Sequence, residues 1–121
     1  MSLQCFVTRN VVVGNSSLGG QVTFDGNAQE IYSDTLTAGQ NPTVPFEFAG
    51  DDAQVIAFYA SVDMTLTPDG GGPVINLVAG VLYEWCNDSG ITNPFAGIDV
   101  TEIAVTNVAA GTLQLFVQSE V

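Results

Sequence analysis

Apolar positions along the chain alternate with polar ones or gather in short β-branched runs, and Gly, Pro, Asn or Asp breaks the pattern roughly every 8 to 12 residues. This rhythm predicts strands over Leu3–Val13, Gln21–Asp25, Ile31–Thr37, Val44–Phe48, Val55–Ser61, Met64–Thr67, Val74–Leu77, Val81–Trp85, Val100–Thr106 and Thr112–Gln118, with no helix. In TLQLFVQ the alternation is strict: Leu113, Leu115 and Val117 take one face, and Gln114, Phe116 and Gln118 take the other. Ile103 and Val105 behave alike in TEIAVTN, and Ala109-Ala110-Gly111 reads as the turn of a C-terminal β-hairpin. Upstream, Ile56, Phe58, Ala60, Val62, Met64 and Leu66 share one parity, as in one long strand or two joined by a bulge near Asp63.

Between these runs, Gly14–Gly20, Ala38–Pro42, Pro68–Pro73 and Asn87–Gly97 carry turn and loop residues. Prolines donate no ladder hydrogen bond, and glycines lose the most conformational freedom on ordering. Residues 1–121 therefore read as a single all-β domain of about eight to ten short antiparallel strands: a sandwich, a jelly roll or a small barrel. The pattern does not set the strand order.

Composition changes the picture most through charge. Hydrophobic residues make up 46% of the chain, enough to offset the entropy of ordering it, but only 12% is charged. Arg9 is the one cation against 13 Asp and Glu, there is no Lys or His, and the net charge is −12. Such a field repels phosphate backbones and anionic lipid, and no apolar run is long enough to span a bilayer, so neither nucleic acid nor membrane is an expected partner. The start, MSLQCFVTRN, lacks the basic and continuous apolar segments of a signal peptide, which suggests synthesis in the cytoplasm. Without Lys to guard them, the strand edges are expected to meet partners, with the five prolines shielding some.

The residues for catalysis are sparse. General acid–base chemistry draws mostly on His, and the serines and Cys86 have no base to activate them. Asp51-Asp52 beside Gly50 reads as a solvated turn, and Asp69-Gly70 and Asp25-Gly26 as turn pairs without calcium-loop spacing. The glycines at 70–72 lack the Lys and helix of a phosphate loop. Trp85 with Tyr83 reads as core rather than as a sugar platform. Cys5 and Cys86, far apart and without a CxxC partner, read as buried free thiols. No enzyme activity, metal or cofactor is expected.

From Ile56 onward the chain shows a strand ending at MTLT, a Gly/Pro loop, INLVAG followed by an aromatic strand at LYEW, an NPF segment, and DVTEIAVTN with its partner LQLFV. About half of the chain, in this order of elements, resembles the head-decoration, or cement, proteins of tailed bacteriophages. The resemblance implies a jelly-roll-like domain that forms a homotrimer on the outer capsid surface of the virion and bridges major capsid protein subunits. Leu3, Phe6 and Val7 on the first strand are the candidate interface residues. Two other readings compete: a carbohydrate-binding or adhesin module of a tail fibre using Trp85 or an exposed Tyr, and a neck or tail structural protein.

Overall fold

The computed structural model describes residues 3–87 and 89–121, with residues 9–13 and 17 described by their backbone. Ten strands follow in order: β1 (Leu3–Val13), β2 (Ser16–Gly26), β3 (Ala28–Leu36), β4 (Thr43–Ala49), β5 (Ala53–Ala60), β6 (Met64–Pro68), β7 (Ile75–Leu77), β8 (Tyr83–Cys86), β9 (Asp99–Asn107) and β10 (Gly111–Ser119). Among the described residues the one helical turn is a 3-10 turn at Gly50–Asp52.

Strands β3 to β10 form two four-stranded antiparallel sheets, ordered β3-β10-β5-β8 and β4-β9-β6-β7. The pairs β3·β10, β4·β9, β5·β8 and β6·β7 nest inside one another, as when a long hairpin is rolled up, which is the jelly-roll arrangement rather than a closed barrel. β1 and β2 stand apart as a two-stranded hairpin ahead of the roll, paired from Leu3↔Gly26 to Val13↔Ser16.

The inward parities make the core. Val44, Phe46 and Phe48 of β4, Ile56, Phe58 and Ala60 of β5, and Leu113, Leu115 and Val117 of β10 are buried in one cluster. Phe95, from the loop after β8, plugs the same core, edge-on to Phe48 at 5.2 Å and to Phe58 at 6.3 Å. Its loop is stapled to the 3-10 turn: Asn93 Nδ2 donates to the Gly50 carbonyl at 2.9 Å, and the Gly97 N–H donates to Asp51 Oδ1 at 2.7 Å. Gly50 has no alternative here, because a Cβ would overlap the Phe95 carbonyl. Asn107 is buried yet satisfied, its Nδ2 donating to the Thr37 carbonyl at 2.8 Å and its Oδ1 accepting from the Asn41 N–H at 3.0 Å.

Four expectations change. The C-terminal hairpin does not form: β9 pairs with β4 and β6, while β10 pairs with β3 and β5 in the other sheet. The residues after Asn107 therefore cross between sheets instead of reversing within one. Likewise Ile56 to Leu66 is neither one strand nor a bulged one, since β5 and β6 lie in opposite sheets, although Ile56, Phe58, Ala60, Met64 and Leu66 all reach the shared core. The predicted Gly14–Gly20 loop shrinks to a two-residue turn with Gly14 at φ 59°, because Gly19 and Gly20 are held in a ladder opposite Asn10 and Arg9. Asp25-Gly26 is not a turn pair but the last two rungs of β2.

Candidate interaction surface

The hairpin, called the arm from here on, is seated at its base on the outer face of the β3-β10-β5-β8 sheet. Alternation on β1 and β2 turns Cys5, Val7, Val22 and Phe24 toward the sandwich, where they pack with Val55, Cys86 and Phe116 in a second, smaller apolar cluster. A polar clamp completes the seat. Gln118 is fully buried, and its Nε2 donates to the Phe24 carbonyl at 2.9 Å and the Leu3 carbonyl at 3.2 Å. Its Oε1 accepts from Gln29 Nε2 at 2.8 Å. Gln54 Nε2 donates to the Asp25 carbonyl at 2.9 Å, and the Asn27 N–H to the Ser119 carbonyl at 3.1 Å. Gln118, expected on the solvent side with Gln114, is thus covered by the arm.

Beyond this seat the same sheet face stays open. Along β5 the outward positions run Val55, Ala57, Tyr59; along β10 they run Gln118, Phe116, Gln114; Phe116 stands opposite both Ile31 and Ala57. Two adjoining hollows share Ala57, Leu82 and Phe116, one of about 250 Å³ reaching under Phe6 and Thr8 and one of about 300 Å³ reaching Ile31 and Tyr59. Ile31 is 64% exposed and Leu82 55% exposed, so a strip of apolar side chains faces solvent beside the arm. Among the described residues Glu84 is the one carboxylate lining either hollow.

The arm is equally unusual in charge. Residues 3–26 hold Arg9 and Asp25 and no other charged residue, so the remaining carboxylates all belong to residues 27–121, which have no cation. At the far end of the arm Gly14, Asn15, Ser16, Leu18, Gly19 and Gly20 are exposed, Leu18 by 65%. The edges of the sandwich are better guarded. β7 and β8 are short, β4 carries Pro45 and a register shift before Phe48, and β3 carries Glu30 and Asp34.

Of the three candidate interface residues, Phe6 is 57% exposed and lines the hollow beside Leu82. Val7 is half-buried against the small cluster, and Leu3 is half-buried at the arm's base with its carbonyl bound to Gln118. Ile31, Ala57, Tyr59, Leu82 and Phe116 were not singled out from sequence, although Phe116 and Ile31 carried a signal: each is a large apolar residue on the polar parity of its strand.

The other chemical candidates settle into structural roles. Trp85 is buried, and its indole N–H donates to the Ile91 carbonyl at 2.8 Å, so its face is closed to a sugar. Tyr83 stacks on Phe58 at 5.8 Å, and burial pushes its hydroxyl pKa up. Cys5 and Cys86 form no disulfide, Cys86 buried and Cys5 half-buried; burial pushes the Cys5 thiol up, and the neighbouring Cys86 adds to this. A cleft of about 530 Å³ is lined by Glu30, Glu47, Asp52 and Asp99, yet among the described residues no three Asp, Glu or Cys groups are placed to hold a metal ion. Comparison with protein-family models, curated proteins and solved structures found no match for this chain.

Proposed function

We propose that this chain is a non-enzymatic decoration protein of a tailed bacteriophage head, which binds the outer capsid surface as a homotrimer and stabilises the shell by bridging major capsid protein subunits. The observation that carries this reading is the division of the molecule into a strongly acidic jelly-roll body and a nearly uncharged arm flanked by an apolar strip. Such a division suits an adhesive protein. The body stays soluble and is repelled by packaged DNA, while the arm and strip offer surface from which water is readily displaced. The order of elements from Ile56 to Val117 that resembles cement proteins lends the reading its particular partner.

No cofactor or metal enters the mechanism. Each contact contributes only a few kcal/mol, and many copies on one rigid lattice act together. Recombinant protein added to undecorated heads should bind in whole multiples of the local threefold positions and raise the temperature at which the shells rupture. Absence of binding to heads of any tailed phage that encodes the chain would overturn the reading.

A further inference from the structure

The open strip on the β3-β10-β5-β8 sheet is an extension of a seat that is already half filled. Its own arm covers the Val55, Cys86 and Gln118 end and reaches Phe116; further along the same face Ala57, Tyr59, Leu82 and Ile31 continue the apolar character around an open hollow. The occupant that fits is a surface like the one already seated there: a two-stranded, nearly uncharged ribbon.

Charge selects where that ribbon comes from. Between Leu3 and Phe24 the chain has no carboxylate and holds its one cation, whereas the body of a second copy would bring twelve carboxylates toward a body that has no positive charge. The arm carries no proline along its strand edges, and its far end, with Leu18, is exposed. Its length, about 36 Å at ~3.3 Å per residue, is several times the ~4.8 Å strand spacing and allows it to reach beyond its own sheet.

We infer that the exposed end of one copy's arm docks on the Ile31, Ala57, Leu82 and Phe116 strip of the next copy. The contact is heterologous, arm to sheet face, and a threefold rotation closes it into a ring. The inference deepens the homotrimer proposed above and rests on it for the number of copies alone.

Sedimentation equilibrium of the full chain at about 100 μM, without any capsid, tests the contact. The wild type should sediment as a trimer, and Leu82→Glu and Leu18→Ser, both at exposed positions, should each raise the dissociation constant by tenfold or more, to ~30-fold for a central contact, while keeping the wild-type circular dichroism. If Leu82→Glu fails to fold, Ile31→Glu takes its place. Mixing the two variants gives the distinguishing result: the first keeps an intact arm and the second an intact strip, so together they should form a heterodimer with one restored contact. A wild-type monomer, an assembly unaffected by either substitution, or a mixture that stays monomeric would overturn the inference. A trimer that ignores phage heads would sink the capsid reading and leave this contact standing; a monomer that binds heads would do the reverse.

Discussion

Gln118 joins the arm to the sandwich through one amide, which bonds two arm carbonyls and side chains of β3 and β5. Truncating it leaves the buried Phe24 carbonyl and the half-buried Leu3 carbonyl without that donor, and an unsatisfied buried group costs about 1–3 kcal/mol. Gln118→Ala should therefore destabilise the seat by about 2 kcal/mol, and should speed amide hydrogen exchange in β1 and β2 far more than in β4 or β9. Equal acceleration in both sheets would mean that the amide supports the whole fold rather than the arm. The same side chain marks how far residues were legible. Strict alternation in TLQLFVQ identifies Leu113, Leu115 and Val117 as core, and it also places Gln118 on the opposite face; what it lacks is any sign that a hairpin a hundred residues upstream covers that face at one end and leaves Phe116 and Gln114 at its margin. Periodicity reports which side a residue faces, not what lies on that side.

Between elements, the Asp69 carboxylate ties the end of β6 to the start of β9, accepting from the Thr101 N–H at 2.7 Å and the Glu102 N–H at 3.1 Å, and from the Thr101 hydroxyl. The loop can bring it there because Gly70, at φ 73°, turns close against the Asp99 carbonyl, where a side chain would collide. The Thr101 hydroxyl and then the two N–H groups hold the Asp69 pKa below the usual carboxylate value. A pKa lower in the folded than in the unfolded chain contributes stability that is present above about 3.9 and is lost as pH falls through the folded value. Asp69→Asn should therefore lower the melting temperature at pH 7, and the gap from wild type should close as melts are repeated down to about pH 2. A gap that stays constant with pH would assign the effect to packing. Strand positions were mostly legible, because the Gly and Pro punctuation around MTLTP and YEWC is local chemistry. The sheet to which each strand belongs was not: the short link from Asn107 to Gly111 suits a hairpin, and only the nesting of β9 between β4 and β6 sends the chain across to the other sheet.

For the molecule as a whole, the dominant electrostatic fact is self-repulsion. Twelve carboxylates over residues 27–121 face no cation on the same segment, so bringing them together on folding, and again in a ring of copies, works against their mutual field. Salt shortens the reach of that field, from a Debye length of ~30 Å at 0.01 M to ~8 Å at 0.15 M. Stability held up by surface ion pairs falls with added salt, but here the repulsive pairs far outnumber the attractive ones, and the arm contact is apolar. Raising sodium chloride across this range should increase the melting temperature by a few degrees and tighten self-association in the same titration. Both responses have the sign expected when adhesion comes from the nearly uncharged arm and the charge of the body merely opposes it. Self-association that weakens with salt would instead place Arg9 and the carboxylates at the centre of the contact, and the apolar strip would lose its claim to be the surface that holds copies together.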